Sequence, residues 1–118
     1  MDAVIDNLPT YLSGFGTTIL LLLVSGLAAL VIGTLVAAMR ISPVATLRLV
    51  ATVYTEIVRN TPLTLVLIFC ALVLQYLGSR LPYLAAAIIA LSVYTSPFVA
   101  EALRSGINGV PVGQAEAA

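Results

Sequence analysis

The chain has no histidine, one cysteine, and charge on only 8% of its 118 residues. Each scarcity excludes a class of function. Without imidazole there is no Cys/His ligand set for a metal, and the lone Cys70 cannot close an internal disulfide. Acid–base chemistry is left to carboxylates, and these sit apart: Asp2 and Asp6 in the leader, Glu56, Glu101 and Glu116 at or beyond the edges of apolar runs. An intramembrane hydrolase needs a buried pair of such groups, so no catalytic residue, cofactor or metal is expected. Gly14-Phe15-Gly16 is too short for a phosphate loop and abuts an apolar run. The 5 basic and 5 acidic residues cancel, which gives bulk electrostatics no reason to attract nucleic acid. Soluble domains carry about 25% charged residues. A chain this poor in charge cannot cover a soluble surface, and the bilayer must be its solvent.

What the chain has is apolar length. Hydrophobic residues make up 61% of it, and no charge occurs from Asn7 to Met39, from Asn60 to Ser79 or from Leu81 to Ala100. About 20 helical residues at about 1.5 Å each cross a hydrocarbon core of about 30 Å. Backbone in lipid must satisfy itself, and the runs show no strand-like alternation, so they read as helices. The expected class is an all-α membrane protein with three transmembrane helices in a single domain over residues 1–118. The spans fall near 17–39, 63–77 and 83–103, and a polar segment, 104–118, follows. A leader with Asp2 and Asp6 but no Lys or Arg does not suit a cleaved signal peptide.

Local chemistry refines these bounds. Asp2 to Ser13 reads as a polar leader with a turn at Pro9. Ser25, Ala29, Gly33 and Ala37 recur every four residues, a stripe on which another helix can approach closely. Ser42 and Pro43 suit the cap and first position of a new helix. From Val44 to Arg59 the pattern is amphipathic, with Val44, Leu47, Ala51, Tyr54 and Val58 on one face and Arg48, Thr52, Thr55, Glu56 and Arg59 on the other. Asn60-Thr61-Pro62 interrupts it. Gly78 to Pro82 reads as a tight turn that makes spans two and three a hairpin. Pro97 removes one backbone hydrogen bond and should loosen or kink span three. Gly106, the Asn108-Gly109 turn, Pro111 and Gly113 then lead to Gln114-Ala-Glu-Ala-Ala118.

Arg40, Arg48, Arg59 and Arg104 lie on one side of these spans and Arg80 on the other, which places the arginine-rich side in the cytoplasm and the N-terminus outside. Glu56 and Arg59, three apart, can pair. Either they anchor helix ends at the interface, or they face a translocation path or hold its gate. Thr61, Thr64, Gln75 and Thr95 are candidates for lining such a path, although Ser and Thr in membrane helices also bond their own backbone.

Tyr54, Glu56, Arg59, Thr61 and Pro62 form a Tyr-x-Glu-x-x-Arg-x-Thr-Pro pattern. It resembles the second-helix signature of polar amino-acid permeases of the ATP-binding-cassette (ABC) importer class. Gly14, Thr18, Ser25, Gly33, Arg40 and Ser42 stand at that family's spacing in the first span. Glu101, Arg104, Gly106, Ile107, Pro111, Gly113 and Gln114 lead into Glu116-Ala117-Ala118, which is similar to the opening of the family's cytoplasmic EAA loop. The run from Arg59 to Val66 further resembles glutamate-type permeases. The EAA pattern continues beyond Ala118, and such permeases commonly carry five spans, so the resemblance implies a C-terminally incomplete permease of an ABC type I importer.

The resemblance implies an amino-acid permease in the bacterial plasma (inner) membrane, multi-pass in membrane lipid. Implied partners are a cytoplasmic ATP-binding-cassette ATPase, a second permease subunit, the same or a sister, and an extracellular or periplasmic solute-binding protein. Gly113, Gln114, Glu116, Ala117 and Ala118 are the expected ATPase-coupling residues, with Glu56, Arg59, Thr61 and Pro62 at the path or gate. Two other readings fit an apolar chain of this size: a small proton-coupled secondary transporter, which needs an embedded carboxylate, and a membrane assembly subunit that transports nothing.

Overall fold

The charge-free runs are helical in the computed structural model, which describes residues 2–78, 82–111 and 113, and no strand occurs among the described residues. A short helix α1 (Asp2–Asp6) precedes α2 (Leu8–Arg40), α3 (Ala45–Arg59) follows, and α6 (Tyr83–Asn108) closes the described chain. Between α3 and α6, α4 (Leu63–Ile68), a widened π-turn (Phe69–Val73) and α5 (Leu74–Tyr76) run on as one rod. Among the described residues two helices, α2 and α6, are long and apolar enough to cross a membrane, and a third crossing is present if α3 and the Leu63–Tyr76 rod count as one.

The leader differs from its sequence reading. Pro9 does not turn the chain but lies in the first turn of α2, where a missing N–H costs nothing and the fixed φ suits the helix. The 33 residues of α2 span about 50 Å, so the helix outruns a hydrocarbon core. Ser42 acts one step removed from a helix cap. Its Oγ accepts the Val44 N–H at 3.1 Å, and α3 begins at Ala45.

Asn60-Thr61-Pro62 breaks the chain as its proline demands, and across it α3 and the Leu63–Tyr76 rod meet at 100°. The rod, 14 residues or about 21 Å, is shorter than a hydrocarbon core. Gly78 follows it at φ +85°, the left-handed conformation that glycine adopts without strain at helix ends. Ser79, Arg80 and Leu81, expected in the hairpin turn, lie outside the described residues.

The interior is built from small side chains. Ser25, Ala29, Gly33 and Ala37 are all buried, as their four-residue spacing predicts. Val36 and Ala37 of α2, Ala51 of α3 and Ala100 of α6 form one apolar cluster; Cys70, Ala86 and Ala90 form a second between the rod and the first half of α6. Leu22, Leu23, Leu27, Leu72 and Phe69 point outward. Large apolar groups outside and small ones inside is the arrangement lipid favours, because helix contacts there depend on close approach rather than on expelling water.

Pro97 does not break α6, which runs unbroken from Tyr83 to Asn108. The Val93 carbonyl, four residues before the proline, loses its amide donor. Two hydroxyls replace it: Ser96 Oγ donates to Val93 O at 3.0 Å, and Tyr54 Oη reaches the same oxygen at 3.2 Å. The acceptor that the proline orphans is therefore satisfied from α3 as well as from α6.

Candidate functional site

Three arginines, Arg40, Arg59 and Arg104, converge on the C-terminal half of α6. Arg40, in the last turn of α2, places Nη1 3.0 Å from Glu101 Oε2, and Arg104 Nη1 stands 3.1 Å from Glu101 Oε1. The Arg40 side chain is 12% exposed, Glu101 29% and Arg104 38%. One carboxylate thus joins the ends of α2 and α6, and each of its oxygens has a guanidinium partner. The Glu101–Arg104 contact follows from i,i+3 spacing on a helix. The Arg40–Glu101 contact, 61 residues apart, follows only from the packing of α2 along α6.

That packing is close. A Cβ added at Gly33 would lie 2.7 Å from Val99 Cβ and 2.8 Å from the Ser96 carbonyl oxygen. Gly33 lies against Ser96 and Val99 while Arg40 meets Glu101, so α2 and α6 run in the same direction. The connection between them must therefore return. It does so along α6: Arg59 lies over the Phe98 ring at 5.6 Å, and Cys70 packs on Ala86 and Ala90.

Arg59 is brought against α6, and it does not pair with Glu56. Both are exposed, and no ion pair joins them among the described residues. The guanidinium is drawn onto the face of Phe98 instead, a cation–π contact. Thr55, assigned by periodicity to the polar face, is fully buried. Its hydroxyl donates to the Ala51 carbonyl at 2.7 Å, so the buried Thr55 hydroxyl is satisfied. Thr61 Oγ1 likewise donates to Ile57 O at 2.7 Å, and Asn60 Nδ2 to Glu56 O at 2.7 Å. These two side chains close the end of α3, and Pro62 starts the rod from an extended conformation. Thr61 also lines a small cleft with Leu65, Val66 and Phe69. Thr64 and Thr95 are exposed, Thr95 beside a shallow apolar groove with Leu22, Leu23 and Val99; Gln75 is half-buried.

Of the expected coupling residues, Gly113 is exposed with open space around it. Gln114, Glu116, Ala117 and Ala118 lie outside the described residues. Helix α6 ends at Asn108 with Gly109 as its cap, so the segment that carries them leaves within two turns of the Arg40–Glu101–Arg104 cluster. Sequence reasoning missed that cluster and the Tyr54–Val93–Ser96 contact. The available signals were the Glu101-x-x-Arg104 spacing and the coincidence of Tyr54 with a proline-freed carbonyl.

No family model matches the chain. The glutamate transport system permease protein GluC of Corynebacterium efficiens is 48% identical, over 93% of this chain and 54% of its own length. The protein of the same description from Corynebacterium glutamicum is 46% identical over the same shares. A crystal structure of an amino acid ABC transporter with histidines superposes with a TM-score of 0.89 at 32% identity, covering 98% of this chain and 54% of that one. The chain spans about half the length of the curated relatives it matches. With sequence agreement along nearly all of it and an all-helical fold that superposes this closely, the chain belongs to the amino-acid ABC transporter permeases, a family of membrane proteins.

Proposed function

We propose that the chain forms part of the translocation unit of an ATP-driven amino-acid importer in the bacterial inner membrane, with its N-terminus outside. Energy enters by contact with a cytoplasmic ABC ATPase. The solute is delivered by an external binding protein, and a second permease subunit, identical or a sister, completes the path. The chain itself performs no catalysis. The agreement with glutamate transport permeases over 93% of the chain carries this reading, and it makes glutamate the first solute to test. The geometry adds a mechanical reason. Glu101 clamps the ends of α2 and α6 together just ahead of residues 109–118. A push on that segment then reaches both long helices rather than one. Glu116 supplies a charge for an ATPase contact, and the neighbouring Ala117 and Ala118 are residue types small enough for close approach. Closure of the ATPase pair would tilt the helices as rigid bodies and switch access between the two sides. The proton-coupled alternative needs an embedded carboxylate; Glu56 is exposed, and Glu101 is paired with Arg40 and Arg104.

The test uses the permease that contains this chain, reconstituted with its ATPase and binding protein in proteoliposomes. ATP-driven uptake of labelled glutamate or another amino acid is expected. Glu116→Lys should abolish transport-coupled ATP hydrolysis while membrane insertion, read by protease protection, stays intact. Undiminished uptake by that variant rules out the coupling role.

A further inference from the structure

The proline in α6 sits where a mechanical element should be weakest. Pro97 is fully buried and lies between the first half of α6, which packs on the rod, and the last half, which carries Glu101, Arg104 and the outgoing segment. Its missing N–H leaves Val93 O without an intrahelical donor, a condition under which membrane helices flex or kink. The structure shows how this break is closed. Tyr54 Oη lies 3.2 Å from Val93 O and 2.8 Å from Ser96 Oγ, and Ser96 Oγ lies 3.0 Å from Val93 O. Two hydroxyl protons serve three contacts, and every allowed arrangement delivers at least one proton to the carbonyl. The phenol comes from α3, so the break in one helix is stiffened by another.

We propose that Tyr54 is a positioning residue: its hydroxyl, with Ser96, occupies the carbonyl that Pro97 leaves unpaired and stiffens α6 there, so that a displacement of the outgoing segment reaches the whole helix instead of being absorbed at the proline. This rests on the transport reading above. Tyr54 touches no solute in this role. It sets how much of each ATP-driven stroke arrives at the path.

If the hydroxyl matters because the amide is missing, restoring the amide must make the hydroxyl dispensable. The experiment is a double-mutant cycle in the complete reconstituted transporter, with Tyr54→Phe, Pro97→Ala and the two combined. Because alanine leaves space where Pro97 was buried, Pro97→Val serves as a second variant that restores the N–H and fills the site. Two quantities are read: ATP consumed per solute imported, and the unfolding midpoint of the detergent-solubilised permease. Tyr54→Phe alone should raise ATP consumed per solute about threefold or more and lower the midpoint. In either Pro97 variant the same change should leave both nearly unmoved. An equal cost of Tyr54→Phe in both backgrounds overturns the proposal, since it assigns Tyr54 to packing alone. A compensated midpoint with unchanged ATP per solute in Tyr54→Phe also overturns it, since the hydroxyl would then close the helix without serving coupling. If the wild-type transporter imports no solute on ATP, the transport reading falls, and the midpoint cycle still decides whether the hydroxyl replaces the amide.

Discussion

Glu101 is the residue on which two helices depend. Its carboxylate balances Arg40, the least exposed of the three charged groups in the cluster. Removing one partner of a buried pair costs more than the pair is worth, because a charge is left unpaired where solvation is poor. The side chains here are only partly buried, which lowers the penalty. Glu101→Ala should therefore destabilise the permease by about 2 kcal/mol, read as a lowered unfolding midpoint in detergent. Arg104→Ala, which removes the more exposed contact, should cost under about 1 kcal/mol. Equal losses would mean that Arg40 has another route to solvent or to lipid headgroups. Only part of this cluster is visible in the sequence. Glu101 and Arg104 are three apart on a helix, so their contact follows from spacing alone. Arg40 reaches Glu101 only because the Ser25–Ala37 stripe lets α2 lie close along α6. The same dependence misdirected the expectation for Glu56 and Arg59. Spacing allows them to pair, yet a Phe98 ring supplied by tertiary packing takes the guanidinium.

Among the elements, the α2–α6 contact is the most exacting. Gly33 faces Val99 and the Ser96 carbonyl so closely that even a methyl group has no room. A backbone oxygen cannot swing away as a flexible side chain can, so Gly33→Ala must separate the helices. Overpacking of this kind costs about 1–3 kcal/mol, and the separation would also stretch the Arg40–Glu101 contact. Gly26, on the same helix, meets nothing within 4 Å. Gly26→Ala should be neutral or stabilising by up to about 1 kcal/mol through helix propensity. Val99→Ala removes one of the three close neighbours of Gly33, the Val99 Cγ1, and should recover only a small part of the Gly33→Ala loss, because the Val99 Cβ and the Ser96 oxygen stay in place. Unfolding midpoints of the four variants test the ordering. The helices themselves were legible from charge gaps, small-residue spacing and the Asn60-Thr61-Pro62 break. The 100° bend and the π-turn at Phe69–Val73 were not. A proline before a helix says that the direction changes, while the angle is set by which faces find partners, here Arg59 and Tyr54 on one side of the break and Cys70 on the other.

At the scale of the whole molecule, the parallel course of α2 and α6 constrains the topology more tightly than arginine counting does. Gly33 against Ser96 and Val99, followed by Arg40 against Glu101, fixes the relative direction of the two helices. If both cross the bilayer, their N-terminal ends lie on one side and their C-terminal ends on the other. Asn7, just before α2, and Asn108, at the end of α6, must then face opposite compartments, whichever is the cytoplasm. The arginines supply the remaining sign: Arg40 and Arg104 belong to the C-terminal ends of these helices, and Lys and Arg near span ends are retained inside. Cysteine replacements at these two exposed positions separate the two statements. In a background with Cys70→Ala, a membrane-impermeant thiol reagent applied to intact cells should label Asn7→Cys, and should label Asn108→Cys only after permeabilisation. Labelling of both sites from outside would contradict the parallel packing and with it the fold in the membrane. Labelling of Asn108→Cys alone would leave the fold standing and reverse its orientation, and the segment after α6 would then face away from any cytoplasmic ATPase. That second outcome would remove the coupling mechanism without touching family membership, which rests on sequence and superposition rather than on sidedness.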